Sequence, residues 1–187
     1  MSFLDSTRPL LQQPNHHPAF IINMDQTPFS ILDTPKKTLN QKGKRTVNAK
    51  TPKLSLGRIT CLLTVCADGT KLPPLLCFRG RPCGPIEKKE LPNASFNYPK
   101  SVKYTVQMNA WTDERVMLYW VNHVLTPYVK KAPPGIIPYV MLDKYSCHHQ
   151  GTVEQPIKSL GVEWDIIPGG YTALVQPSEL ASPSKIA

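Results

Sequence analysis

The sequence predicts an α/β fold with a mixed sheet, on three observations. Short apolar, β-branched runs recur along the chain, a hairpin signal joins two of the early ones, and the last two are separated by a helical segment. Antiparallel strands come first and a parallel α/β portion follows.

The first strand is read at Ala19–Met24, after Pro18 and ending at Asp25, where Asp25-Gln-Thr-Pro28 interrupts it. Residues 31–57 alternate Thr, Val and Leu with Lys and Gly and suit exposed strand and turn material. Arg58–Cys66 is a strong strand, and Asp68-Gly69 before Leu72–Phe78 marks a hairpin, because glycine takes positive φ readily. Pro73 and Pro74 make the second arm an edge or irregular strand. The Pro-, Gly- and Lys-rich stretch 79–100 reads as an ordered surface loop, and Val102–Met108 as another short strand.

Trp111-Thr-Asp-Glu114 opens a helix with Thr112 or Asp113 as its cap. Val116, Tyr119, Trp120, His123 and Val124 recur at helical spacing, and Met117, Leu118 and Val121 make that helix apolar nearly all round. Ile136–Leu142 is a second buried strand that ends at Asp143. Gln150–Leu160 is helical up to Gly161, with Pro156 implying a late start or a kink. Val162–Ile167 closes a βαβ unit with a right-handed crossover.

The 187 residues divide into a polar segment, 1–18, and one main domain, 19–187. Neither a membrane span nor a signal peptide is read in it, so the protein is expected to be soluble and intracellular. Five cysteines without a Cys-x-x-Cys pair argue against a disulfide framework or a zinc knuckle. No Gly-rich phosphate loop follows any strand, which sets aside a nucleotide-binding α/β protein.

The formal net charge is +9. Lys36, Lys37, Lys42, Lys44, Arg45, Lys50, Lys53 and Arg58 fall in one stretch without an acidic residue, 8 of the 22 basic residues. Such a run is a candidate patch for DNA phosphates, with a solvated charged face or a nuclear-localisation-like run as the ordinary alternatives.

Asp25 and Asp143 each follow an apolar strand, where α/β sheets place their ligands. If those strands are parallel neighbours, the carboxylates converge. Glu179, separated from Asp143 by 35 residues, is a third acid beyond a Pro-Gly-Gly turn. Three carboxylates suit a pair of hard divalent cations in phosphoryl displacement, although each acid taken singly is an ordinary turn or cap residue.

Five segments in order carry a resemblance: Asn23-Met-Asp-Gln-Thr-Pro28, the stretch 54–80 with Cys66-Ala-Asp-Gly-Thr70 and Leu72-Pro-Pro-Leu75, Met141-Leu-Asp143 with His148, Ile167-Pro-Gly-Gly170 and Leu174-Val-Gln-Pro177. Together they resemble the DDE endonuclease domain of pogo and jerky-like, mariner-related transposases from about residue 19 to 180. The resemblance implies an RNase H-like fold with a five-stranded mixed sheet and flanking helices. It places Asp25, Asp143 and Glu179 at the metal-binding positions for two Mg²⁺ or Mn²⁺ ions, in a transposase-derived domain that cuts or joins DNA phosphodiesters. It also sets His148 where such proteins carry a histidine, while no separate role falls to His149.

Two departures qualify that expectation. Ser178-Glu179 stands where the family has Asp after Gln-Pro-Leu or Gln-Pro-Met, and only eight residues follow Glu179, so the domain is expected to be cut short, its last helices truncated. Catalysis is therefore left open, and the alternative is a non-catalytic transposon-derived nucleic-acid-binding module. A degenerate fragment is a third reading. In each functional case the expected partner is DNA, bound mainly non-specifically, in the nucleus, with no membrane; self-association into a homo-oligomer is left open.

Overall fold

Strand β1 (Ile21–Ser30) is the axis of a six-stranded sheet in the order β4-β3-β2-β1-β5-β6. The computed structural model describes residues 7, 9, 11–30, 58–143 and 151–168. β2 (Arg58–Cys66) runs antiparallel to β1 over its whole length, from Ile22 opposite Cys66 to Ser30 opposite Arg58. On the other side β5 (Tyr139–Asp143) runs parallel to β1 from Ile21 opposite Tyr139 to Met24 opposite Leu142.

β1 therefore does not end at Asp25, as its sequence suggests. The nine residues of β2 hold it extended to Ser30, with Gln26-Thr-Pro28 inside the strand. Past Met24 its ladder with β5 has stopped, so among the described residues nothing pairs with β1 on that side, where a proline lacking its N–H is tolerated.

The Asp68-Gly69 hairpin forms as its residues demand. Cys66 N donates to Thr70 O at 2.8 Å, the Asp68 carboxylate accepts from the Thr70 amide and hydroxyl, and Gly69 sits at φ +89°. β3 (Leu75–Arg79) then pairs antiparallel with β2, starting immediately after the two prolines. It is not an edge: β4 (Lys103–Gln107), the strand read at Val102–Met108, covers its far side in parallel, and the sheet has six strands where the resemblance implied five. Lys103 N donates to Pro74 O at 2.8 Å, so the second proline contributes its carbonyl where it has no amide to give.

Between β3 and β4 the surface loop carries a π-helical turn, Ile86–Glu90, and a 3-10 turn, Ala94–Phe96, capped by the Asn93 side chain. Beyond β4, α1 (Glu114–Trp120) is capped by Asp113, whose carboxylate accepts from Val116 N at 2.9 Å. It continues through a π-helical turn, Val121–Leu125, into α2 (Thr126–Val129).

This helical run is buried on one face: Val116, Met117, Trp120, Val121, Val124 and Leu125 are covered, while Asn122 and His123 are exposed and Leu118 and Tyr119 half-buried. The run, apolar nearly all round in sequence, is covered on the face that meets the sheet, with Leu118 and Tyr119 packed at its margin. There Ile22, Met24, Leu62, Leu75, Cys77, Val140 and Leu142 receive it, with Val153 and Ile157 of α3 (Gly151–Ser159) beside them. α3 runs through Pro156, and Gly161 at φ +68° turns the chain into β6 (Glu163–Ile167), parallel to β5.

Ile21, Tyr139, Met141 and Ile167 form a smaller cluster on the opposite sheet face, with Leu11 against it. His16 pins the preceding segment there. Its ring lies 2.9 Å from Ile137 O and 3.4 Å from the Glu163 carboxylate, with its edge toward Tyr139.

Candidate functional site

The two-residue period of a strand decides where the acids point. Ile22 and Met24 enter the core under the helices, so Ile21, Asn23 and Asp25 take the other face. Along β5 the same alternation sends Val140 and Leu142 to the core and Tyr139, Met141 and Asp143 to the face of Asp25.

Register then joins them. The last paired step is Met24 beside Leu142, and the next residue on each strand is Asp25 and Asp143. Adjacent strands lie about 4.8 Å apart, so the two carboxylates share one face at the point where β5 ends and β1 runs on. One step earlier, Asn23 Nδ2 donates to Met141 O at 3.2 Å and holds β1 to β5 from the side chain as well as the backbone. Asp25 is buried at 8% exposure, and its Oδ1 accepts from Gln26 N at 2.7 Å.

Like charges placed side by side on neighbouring strands oppose folding unless something positive lies between them. Two hard oxygen donors on one face suit a divalent cation of the Mg²⁺ class. Among the described residues no group of three His, Cys, Asp or Glu is placed to hold a metal, so the described part of the site is this pair.

The remaining candidates divide plainly. Glu179, His148 and His149 lie outside the described residues, as do Lys36, Lys37, Lys42, Lys44, Arg45, Lys50 and Lys53. Arg58 is described: it begins β2, is exposed, and carries its guanidinium 5.0 Å from the centre of the Trp111 ring.

Sequence reasoning missed a cavity of about 300 Å³ lined by Gln26, Pro28, Arg58, Thr60, Trp111 and Thr112. Its one local signal was an aromatic residue ahead of a helix cap, and Trp111 is 50% exposed. The cysteines behave as small core fillers at Cys61, Cys66 and Cys77, whereas Cys83 is exposed and Cys147 lies outside the described residues. No helix among the described residues is long and apolar enough to cross a membrane.

Residues 56–182 match the family described as DDE superfamily endonuclease, a span that contains Asp143 and Glu179 and begins after Asp25. Two curated relatives bear the name "Pogo transposable element with KRAB domain". The one from Mus musculus is 26% identical over 180 residues, covering 94% of this chain and 27% of that protein. The one from Homo sapiens is 27% identical over 158 residues, covering 82% of this chain and 24% of that protein. The chain thus spans about a quarter of the length of the curated relatives it matches. Among solved structures, the Mos1 transposase paired-end complex with left transposon end overlays 93% of this chain and 42% of its own at a TM-score of 0.50 and 12% identity, a likeness of fold.

Proposed function

The chain belongs to the DDE superfamily endonuclease family and has its RNase H-like fold, and from that premise we propose that Asp25 and Asp143 hold divalent metal for cleavage or transfer of DNA phosphodiesters. The observation that carries the reading is the register of β1 against β5, which puts the two carboxylates one step beyond Met24 and Leu142 on the same face. In this reading Glu179, which lies inside the matched family span, serves as the third ligand.

Bound Mg²⁺ or Mn²⁺, as a pair, would supply charge stabilisation for the attacking and leaving oxygens of an in-line displacement. The chain's own residues do the positioning. β1 is held on both flanks as far as Met24, and the Gln26 amide fixes one oxygen of Asp25. Asn23 closes the seam to β5 immediately before the acids, so Asp143 cannot slip relative to Asp25 without breaking that contact. Such fixed placement matters because two-metal chemistry loses rate steeply with misplacement of the ligands.

The substrate in this reading is DNA. Arg58 and the seven basic residues between Lys36 and Lys53 contact its phosphates, which makes binding mainly non-specific and steeply salt-dependent. The nucleus is the compartment that fits such a substrate.

The test is calorimetric titration of Mn²⁺ into the folded wild-type chain and into Asp25→Asn, Asp143→Asn and Glu179→Gln variants whose circular dichroism matches it. Uptake by the wild type that both aspartate substitutions abolish is the expected result, and nicking of a supercoiled plasmid then follows as the activity assay. A folded wild-type chain that takes up no Mn²⁺ overturns the catalytic reading and leaves a non-catalytic DNA-binding module.

A further inference from the structure

The cavity beside β1 has the composition of a site for a planar anion. It draws Gln26 and Pro28 from the stretch of β1 just past Asp25, Arg58 and Thr60 from β2, and Trp111 and Thr112 from the turn before α1. At about 300 Å³ it sits at the small end of ligand-binding cavities. Among the described residues no carboxylate lines it, and the chain's net charge is +9.

Trp111 is half-exposed, yet its backbone is held firmly. The Gln107 side-chain oxygen accepts from both Asn109 N at 2.7 Å and Trp111 N at 3.1 Å. Ala110, in the left-handed region at φ 54°, gives its carbonyl to the Thr60 hydroxyl. An indole presented to solvent on so constrained a turn is a prepared stacking surface. Arg58 lies over that ring, which keeps a planar, phosphate-matching cation at the mouth of the cavity.

A second observation comes from Thr112. The residue is 5% exposed, and its Oγ1 has no hydrogen-bond partner among the described residues. A buried hydroxyl left unmatched is unfavourable, and because Thr112 lines the cavity, a small shift that admits a base edge would give it a partner. The half-buried Gln26 amide adds a donor and an acceptor on the same wall.

Position links the cavity to the acids. Gln26 follows Asp25 directly, and by alternation its side chain takes the face opposite the carboxylates. β5 ends at Asp143, so only the width of β1 separates the two faces here, and among the described residues its flank toward β5 carries no ladder beyond Met24. A flexible strand can cross that edge; a rigid duplex cannot bring a base into a cavity of this size.

We propose that this cavity is a nucleotide subsite for an unpaired base of the DNA strand that runs to Asp25 and Asp143. Trp111 stacks on the base, Arg58 engages its phosphate, and Thr112 and Gln26 meet the base edge. The assignment deepens the endonuclease reading above and rests on it for the path of the strand, but its test stands apart from metal binding.

Binding of fluorescein-labelled dT12 to the full chain is followed by anisotropy in EDTA, where the carboxylates bind no metal, and blunt duplex of equal length is run alongside. Trp111→Ala is expected to weaken dT12 binding roughly 5- to 150-fold, the effect of losing one base-stacking contact, and to leave duplex affinity within about twofold. Trp111→Phe, which keeps a stacking ring, restores most of the affinity, and Thr112→Val weakens dT12 without touching the ring. Equal dT12 affinity for Trp111→Ala and wild type overturns the subsite, as does an equal loss on dT12 and duplex. Circular dichroism of each variant excludes unfolding as the cause. Because Mn²⁺ calorimetry is run without DNA, failure of metal uptake and failure of base stacking are read separately.

Discussion

Trp120 and Thr64 join the helical layer to the sheet directly behind the acids. The indole is fully buried, and its Nε1–H donates to Thr64 Oγ1 at 2.9 Å across a gap of 56 residues. Thr64 is 2% exposed and stands opposite Met24, one residue before Asp25. Replacing Thr64 by Val leaves the indole N–H buried without an acceptor, a cost of about 1–3 kcal/mol. Replacing Trp120 by Phe strands the Thr64 hydroxyl instead and adds a cavity where the outer six-membered ring was, about 2–4 kcal/mol together.

The double variant removes donor and acceptor at once, so it should cost less than the sum of the single changes by about 1–2 kcal/mol. Urea unfolding followed by far-ultraviolet circular dichroism, with a common slope, measures all four corners of this cycle. If the single costs add to within about 0.3 kcal/mol, the two groups are not coupled and the argument that this bond ties α1 to β2 fails. The double variant should also keep its Mn²⁺ uptake, since neither side chain reaches the face of the carboxylates.

Two further outcomes follow from burial and from helix geometry. Burial raises the Cys61 thiol to about 11 and the Cys77 thiol to about 12 from an ordinary 9.0, so the unfolded chain loses these protons first. Stability is therefore fully present below about pH 9 and falls as pH rises through the folded values, and Cys77→Ala should flatten that fall in alkaline urea titrations. Pro156 lies inside α3 and lacks the amide that would close a helical hydrogen bond, so Pro156→Ala should raise stability by about 1–3 kcal/mol; a lowered melting temperature would refute this.

Much of the fold was legible locally. The apolar runs at Arg58–Cys66 and Ile136–Leu142 became β2 and β5, the Asp68-Gly69 pair made its hairpin, and Asp113 took the helix cap, because alternation, positive φ and capping are properties of a few neighbouring residues. Family membership was legible for a related reason: the motifs around Asp143 and Pro177 are short strings that survive in order. The sequence also marked Asp143 as the acid that closes its strand, singled out Asp25 although its strand runs on to Ser30, and stated the condition under which the two would meet.

Only tertiary pairing could satisfy that condition. Asp25 and Asp143 are 118 positions apart, and a slip of one residue between β1 and β5 would have sent one of them to the helical face. The same pairing carried β1 past Asp25, because β2 was long enough to keep it extended, and placed β4 beside β3 despite the prolines that suggested an edge. The Trp111 cavity had only the aromatic residue ahead of the helix cap as a local signal, since its walls come from β1, β2 and the turn before α1. Local periodicity tells which way a side chain alternates; which partner lies opposite is settled by the shared core between the sheet and α1, α2 and α3.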